Sequence, residues 1–232
     1  MTVSSKRRNL WALGGVLFAA FFIGGDFLGG ALANGALPLP GAPVGEVVRY
    51  FSESRTAALA VSVAQVLSAL SLLVFVAPVA TLVRRVAGER GSLPDLTLGG
   101  GILSAGFLLV SALLALALAL AASGLSLGLV DALRGANFLT GGTLHVASLG
   151  LFEGATSVAA RRTRALPGWI CWLGMVQATL AVLSLASLIF FPAALLILLG
   201  RMLGFVWCIA VGIVLVLGRR HETGARPSYE GG

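Results

Sequence analysis

Long apolar runs alternate with short polar loops along almost the whole chain. A helix rises about 1.5 Å per residue, so roughly 20 apolar residues span the hydrocarbon core of a bilayer. Cut to that length, the runs predict six crossing helices at 10–33, 56–83, 98–122, 137–160, 167–191 and 193–217. The apolar stretch 169–217 is unbroken and too long for one crossing. Pro192 is preferred as its turn over the rival Gly200-Arg201. Pro167 stands where a helix start tolerates proline, with Trp169 and Trp172 as interface anchors.

The first run has two readings. It follows Lys6-Arg7-Arg8, which suits either a spanning helix or a secretory signal peptide cut at Ala31-Leu32-Ala33. The distance from Gly24 to that site, and Asp26 within it, favour a retained helix. Pro38, Pro40 and Pro43 make 34–55 a loop, with room for a short interfacial helix near 44–51. The run 98–122 is the most aliphatic, interrupted only by Ser104 and Ser111, and is expected to face lipid. Segment 84–95 reads as a charged loop, and 123–136, with Asp131 and Arg134, as a connector.

Segment 137–160 breaks the pattern. NFLTGGTLHVASLGLFEGATSVAA is long enough to cross, yet it carries His145 and Glu153, ionisable groups that are costly at membrane depth. At about 100° per residue, Thr143, Ala147, Gly150 and Gly154 form one ridge of small side chains, with Gly150 and Gly154 as a GxxxG packing pair. Gly141, His145, Ser148, Phe152 and Thr156 lie opposite. A helix with contacts to make on both sides belongs inside a bundle.

Composition agrees with lipid as the solvent. The 232 residues are 58% hydrophobic and 11% charged, against roughly 25% charged in soluble domains. Mean hydropathy is +0.99. The net charge of +7 does not imply nucleic acid, because the cations sit in short groups between apolar runs. Twelve of the sixteen precede the first run, occupy the second and fourth loops or follow the last run, whereas Arg49, Arg55 and Arg134 occupy the alternate loops. That asymmetry predicts an all-α, polytopic membrane helix bundle with six transmembrane helices and both termini cytoplasmic (1–9 and 219–232). An arginine-dominated cation set with abundant Ala, Gly and Leu suggests a bacterial plasma membrane protein. The bilayer is its implied partner, and homo-oligomers or a membrane complex are compatible with its small-residue ridge.

Candidate chemistry follows from depth. Asp26, Gln65, His145, Ser184 and Arg201 each fall about 7–10 residues, roughly 10–15 Å, below the expected outer surface. Asp26 and Arg201 would neutralise each other as a pair that His145 could join. Glu153 lies lower, level with Gln177, to which a protonated carboxyl would hydrogen-bond. Asp26, Gln65, His145, Glu153, Gln177 and Arg201 are therefore the ligand- or ion-pathway candidates, equally readable as polar staples that fix packing. No catalytic residue is assigned. Cys171 and Cys208 form no CxxC, so no metal site is expected. A single intramembrane histidine and the lack of a phosphate-cradling loop imply no cofactor.

The stretch from His145 through LFEGATSVAARR to LPGWICWLGM, with the later LGRMLGFVW, resembles a family of bacterial multi-helix membrane proteins with an uncharacterised domain. The resemblance implies an intramembrane histidine on a late helix, then a basic loop and a Leu-Pro start to the next span. Glu153 departs from that pattern, and no functional residue carries over. Three functions are compatible with these residues: a small permease or proton-coupled carrier, a lipid- or isoprenoid-modifying enzyme using His145, and a non-catalytic subunit of a membrane complex.

Overall fold

A computed structural model describes residues 9–39, 41–88 and 91–218. The expectations for the N-terminal 1–8, Pro40, Glu89, Arg90 and the tail 219–232 lie outside the described residues. Among those described, the chain is helical, with no strand and two free buried cysteines.

Eight helices follow in order. Helix α1 (Leu10–Leu32) opens with a 3-10 turn. Helix α2 (Val44–Glu53) is short, α3 (Arg55–Ala87) is the longest, and α4 (Ser92–Ala121) follows. Helix α5 (Leu127–Phe138) continues through a π turn (Leu139–Leu144) into α6 (His145–Thr163). Helix α7 (Gly168–Leu183) ends in a 3-10 turn, and α8 (Ala194–Leu217) completes the bundle.

Among the described residues, five helices are long and apolar enough to cross a membrane: Leu10–Leu32, Arg55–Ala87, Ser92–Gly124, Gly168–Leu188 and Ala194–Leu217. The expected sixth, 137–160, is not among them. Its glycine, threonine, histidine and glutamate content lowers its hydropathy, and its surroundings explain why that is tolerated. α6 packs against α3, α4, α7 and α8, so protein rather than lipid meets most of its surface.

Other boundaries differ from expectation for local reasons. Pro94 and Asp95, assigned to a loop, stand in the first turn of α4, where proline lacks no needed N–H and a carboxylate suits the helix dipole. The connector 123–136 is largely helical because Ser126 caps α5, its Oγ accepting from the Leu129 N–H at 3.4 Å. α4 does not simply face lipid. Ile102, Leu103 and Leu113 point outward, while Thr97, Gly100, Ser104, Leu108 and Ser111 are buried on the other side.

Close backbone approach holds the centre together. A Cβ on Gly100 of α4 would stand 2.7 Å from the Phe152 backbone nitrogen of α6. On the opposite side of α6, a Cβ on Gly154 would stand 2.8 Å from Ala178 Cβ of α7, and one on Gly150 would collide with Ala181 Cβ. The small-residue ridge is therefore consumed within the chain, between α6 and α7. Aromatic side chains fill the wider gaps: Phe152 meets Trp207 at 5.6 Å and Phe18 meets Phe205 at 5.1 Å, both edge-on. Trp207 Nε1 donates to Ser157 Oγ at 3.2 Å, which satisfies its polar edge in an otherwise apolar core.

Gly154→Leu should destabilise the bundle by about 1–3 kcal/mol through forced separation of α6 and α7. Gly106→Leu, at a position where an added Cβ meets nothing within 4 Å, should be neutral. Thermal unfolding in detergent would compare them, and equal melting temperatures would refute the packing account.

Candidate functional site

The six sequence candidates divide into two places. Asp26, Gln65 and Arg201 line one chamber of about 810 Å³ in the end of the bundle that carries α2. His145, Glu153 and Gln177 do not line it and are fully buried behind its floor.

Helix periodicity builds the chamber. Phe22, Asp26, Gly29 and Gly30 present one face of α1, and Ala58, Val61, Ser62 and Gln65 one face of α3. α4, α5, the π turn and α8 close the remaining sides. α2 lies across the top, with Val47 buried against Leu118 and Val130. Its approach loop is tied at both ends. Asn34 Nδ2 donates to the Glu53 carbonyl at 2.5 Å, and Arg134 Nη1 donates to the Ala42 carbonyl at 2.6 Å. Arg134 also pairs with Asp131 at 2.5 Å. Tyr50 lines the mouth, and partial burial pushes its phenol up, so it stays a neutral hydroxyl around pH 7.

Arg201 forms the floor. Its Nη2 donates to the Gly141 carbonyl, its Cζ stands 4.9 Å over the Phe22 ring, and its buried Nε has no hydrogen-bond partner. The π turn matters here, because its wider winding departs from the ordinary ladder at the carbonyl that Arg201 uses. Gly141 is obligatory, since a Cβ would overlap Ser111 Oγ. Asp26 and Arg201 share the wall and interact electrostatically, but they do not form a direct ion pair. The expected contact pair is thus a looser arrangement around open space.

On the chamber wall, Asn137 Nδ2 donates to the Ser111 carbonyl at 2.7 Å and to its Oγ at 2.9 Å. Ser111 Oγ in turn donates to the Asn137 carbonyl at 3.2 Å. His145 sits one step deeper in a similar clasp. Its Nδ1 lies 3.0 Å from both the Ser104 carbonyl and Ser104 Oγ, and that hydroxyl donates to the His145 carbonyl at 3.1 Å. With Nδ1 protonated, every one of those contacts is satisfied and α4 is stapled to α6. Nε2 is left unpartnered, with Phe18 edge-on at 6.1 Å. His145 does not join Asp26 or Arg201.

Glu153 lies two turns further in. Cys208 Sγ donates to its Oε1 at 3.6 Å, while Oε2 has no partner. Both side-chain atoms of Gln177 are likewise unpartnered, so the expected Glu153–Gln177 hydrogen bond is absent. The two still flank one gap: Glu153 Oε1 and Gln177 Nε2 lie 3.1 and 3.7 Å from where a Cβ on Gly204 would be. Ser184, also placed at chamber level by depth, turns away and donates to the Ala181 carbonyl at 2.7 Å.

Sequence reasoning overlooked Ser104, Ser111, Asn137 and Gly141 as partners. A signal existed for the serines: they are the only polar residues inside an aliphatic run and stand two turns apart, on one face. Among the described residues no cluster of three or more His, Cys, Asp or Glu side chains could hold a metal. No protein-family model, curated protein or solved structure matches this chain.

The clasp and the chamber make separable demands. Ser104→Ala should lower stability by roughly 1 kcal/mol, the scale of one interhelical hydrogen bond in a membrane, and leave chamber accessibility unchanged. A variant of wild-type stability with an altered chamber would contradict that division.

Proposed function

We propose that the protein is a small multi-pass permease whose substrate binds in the chamber between α1, α3, α4 and α8. The observation that carries this reading is a space of about 810 Å³ with Asp26, Gln65 and Arg201 on its walls. Mostly apolar pockets with a few convergent polar groups are the usual form of small-molecule sites. His145 is outside that space and already engaged with Ser104, so acid–base catalysis on a chamber ligand has no support from its position.

In this reading α6 crosses the membrane as a sixth, protein-enclosed helix. The cation asymmetry then puts the Arg84-Arg85 and Arg161-Arg162 ends in the bacterial cytoplasm, both termini inside and the chamber outside. Glu153 is the only fully buried carboxyl among the described residues and lies on the inner side of the chamber floor. The reading assigns proton coupling to it.

Cysteine accessibility tests the proposal. Gln65→Cys in inside-out and right-side-out vesicles should react with a membrane-impermeant methanethiosulfonate from the outer face, and more slowly from the inner face as the chamber alternates. Ile102→Cys, on the lipid-facing side of α4, should react from neither. Glu153→Gln should abolish the pH-gradient dependence of inner-face labelling. Labelling of Gln65→Cys from the outer face alone would reduce the protein to a binding protein, and no labelling would remove the chamber reading.

A further inference from the structure

Resting on the chamber reading above, the charges and the shape of that space restrict what can occupy it. The charged side chains on its wall are Asp26, Arg134 and Arg201. Arg134 is neutralised by Asp131 at 2.5 Å, and Asp26 and Arg201 are of opposite sign on the same wall. The formal sum is zero. A net-charged occupant would bring an uncompensated charge into a space with mostly apolar walls, which is heavily penalised. An occupant with an uncharged head incurs no such penalty, and a hydroxyl can serve both groups at the floor. It donates to the Asp26 carboxylate and accepts from the Arg201 guanidinium, both of which line the space.

Shape adds the second constraint. α1 and α8 are in tight contact away from the chamber: a Cβ on Gly15 would collide with the Cys208 carbonyl, and one on Gly212 would stand 2.7 Å from the Ala12 carbonyl. Phe22 and Phe205 still meet at 5.2 Å. Beyond Arg201 the chamber wall includes Gly30 of α1 and Ile197 of α8, and a Cβ on Gly30 would meet nothing within 4 Å. The neighbouring Phe27 and Leu28 are 77% and 50% exposed, so this flank of α1 is clad for acyl chains.

We infer that the chamber takes a single-tailed amphiphile with an uncharged, hydroxyl-bearing head, its head at Asp26 and Arg201 and its tail toward the flank between α1 and α8. The test is equilibrium binding of three radiolabelled probes with the same C18 tail to the purified full-length protein in detergent. The probes are 1-oleoylglycerol, oleyl sulfonate and oleyl trimethylammonium, the last two permanently charged. Wild type should prefer oleoylglycerol by about ten-fold or more over either charged probe. Asp26→Asn, at an exposed position, leaves the floor net positive and should move the preference toward the sulfonate by about ten-fold. Arg201→Gln should move it toward the trimethylammonium probe. Gly30→Trp should weaken all three together.

A wild-type preference for either charged probe overturns the inference while leaving the chamber as a site. Unchanged selectivity in a folded Asp26→Asn protein does the same. Binding of no probe by wild type overturns this inference. If Gln65→Cys also stays unlabelled, the permease reading falls with it.

Discussion

Helix–helix contact at backbone distance is the constraint on which this bundle depends. Hydrocarbon offers no hydrophobic drive to press helices together, so van der Waals contact and interhelical hydrogen bonds must do it. Gly100 lets α4 reach the backbone of α6, and Gly150 and Gly154 let α7 reach it from the other side. Only at such spacing can short side chains bridge between helices. Ser104 reaches both the ring and the carbonyl of His145 for this reason, and Thr97 comes within 3.5 Å of Thr156 one level further along. Bulk at the glycines would remove the packing and the hydrogen bonds together.

That tight centre also sets where open space can exist. Phe152, Trp207, Phe75, Phe18 and Phe205 fill the middle of the molecule, and the chamber begins only where Phe22 and Arg201 cap that column. Polar groups below the cap are divided between full engagement, as in His145 Nδ1, and atoms with no partner, as in Gln177 and Glu153 Oε2. Polar atoms without a protein partner are costly inside a membrane protein. Their separation from Asp26 and Gln65 leaves two polar levels, one lining the chamber and one enclosed beneath it.

Much of this architecture was legible in the residue pattern. Apolar run length marked the five lipid-compatible helices, because burial in acyl chains demands continuous hydrophobicity. The turn before α8 follows the same logic, with Pro192 in a 3-10 turn after Phe190. The small-residue ridge of 137–160 was visible in its spacing, but whether it would pack within the chain or against another copy was not. Asp26, Gln65 and Arg201, grouped by depth counting, line one chamber. His145 and Ser184, grouped with them, do not line it, because depth fixes height along a helix and says nothing of the direction a side chain faces. The π turn was invisible for a related reason. Arg201 and Ser111 bond to the carbonyls of Gly141 and Asn137 in and beside it, and those partners lie far away in sequence.

The contact between α1 and α8 has a bearing on how the molecule is made. Of the described helices, α1 leaves the ribosome first and α8 last, yet Gly15 and Phe18 of the former are seated against Cys208 and Phe205 of the latter. During synthesis α1 must wait in the membrane with that groove unfilled and Asp26 lacking the cation across from it. Assembly of the described helices therefore includes a closing step that joins α1 to α8 across the length of the bundle, and a nascent chain arrested before Arg201 would leave Asp26 without the cation that shares its chamber.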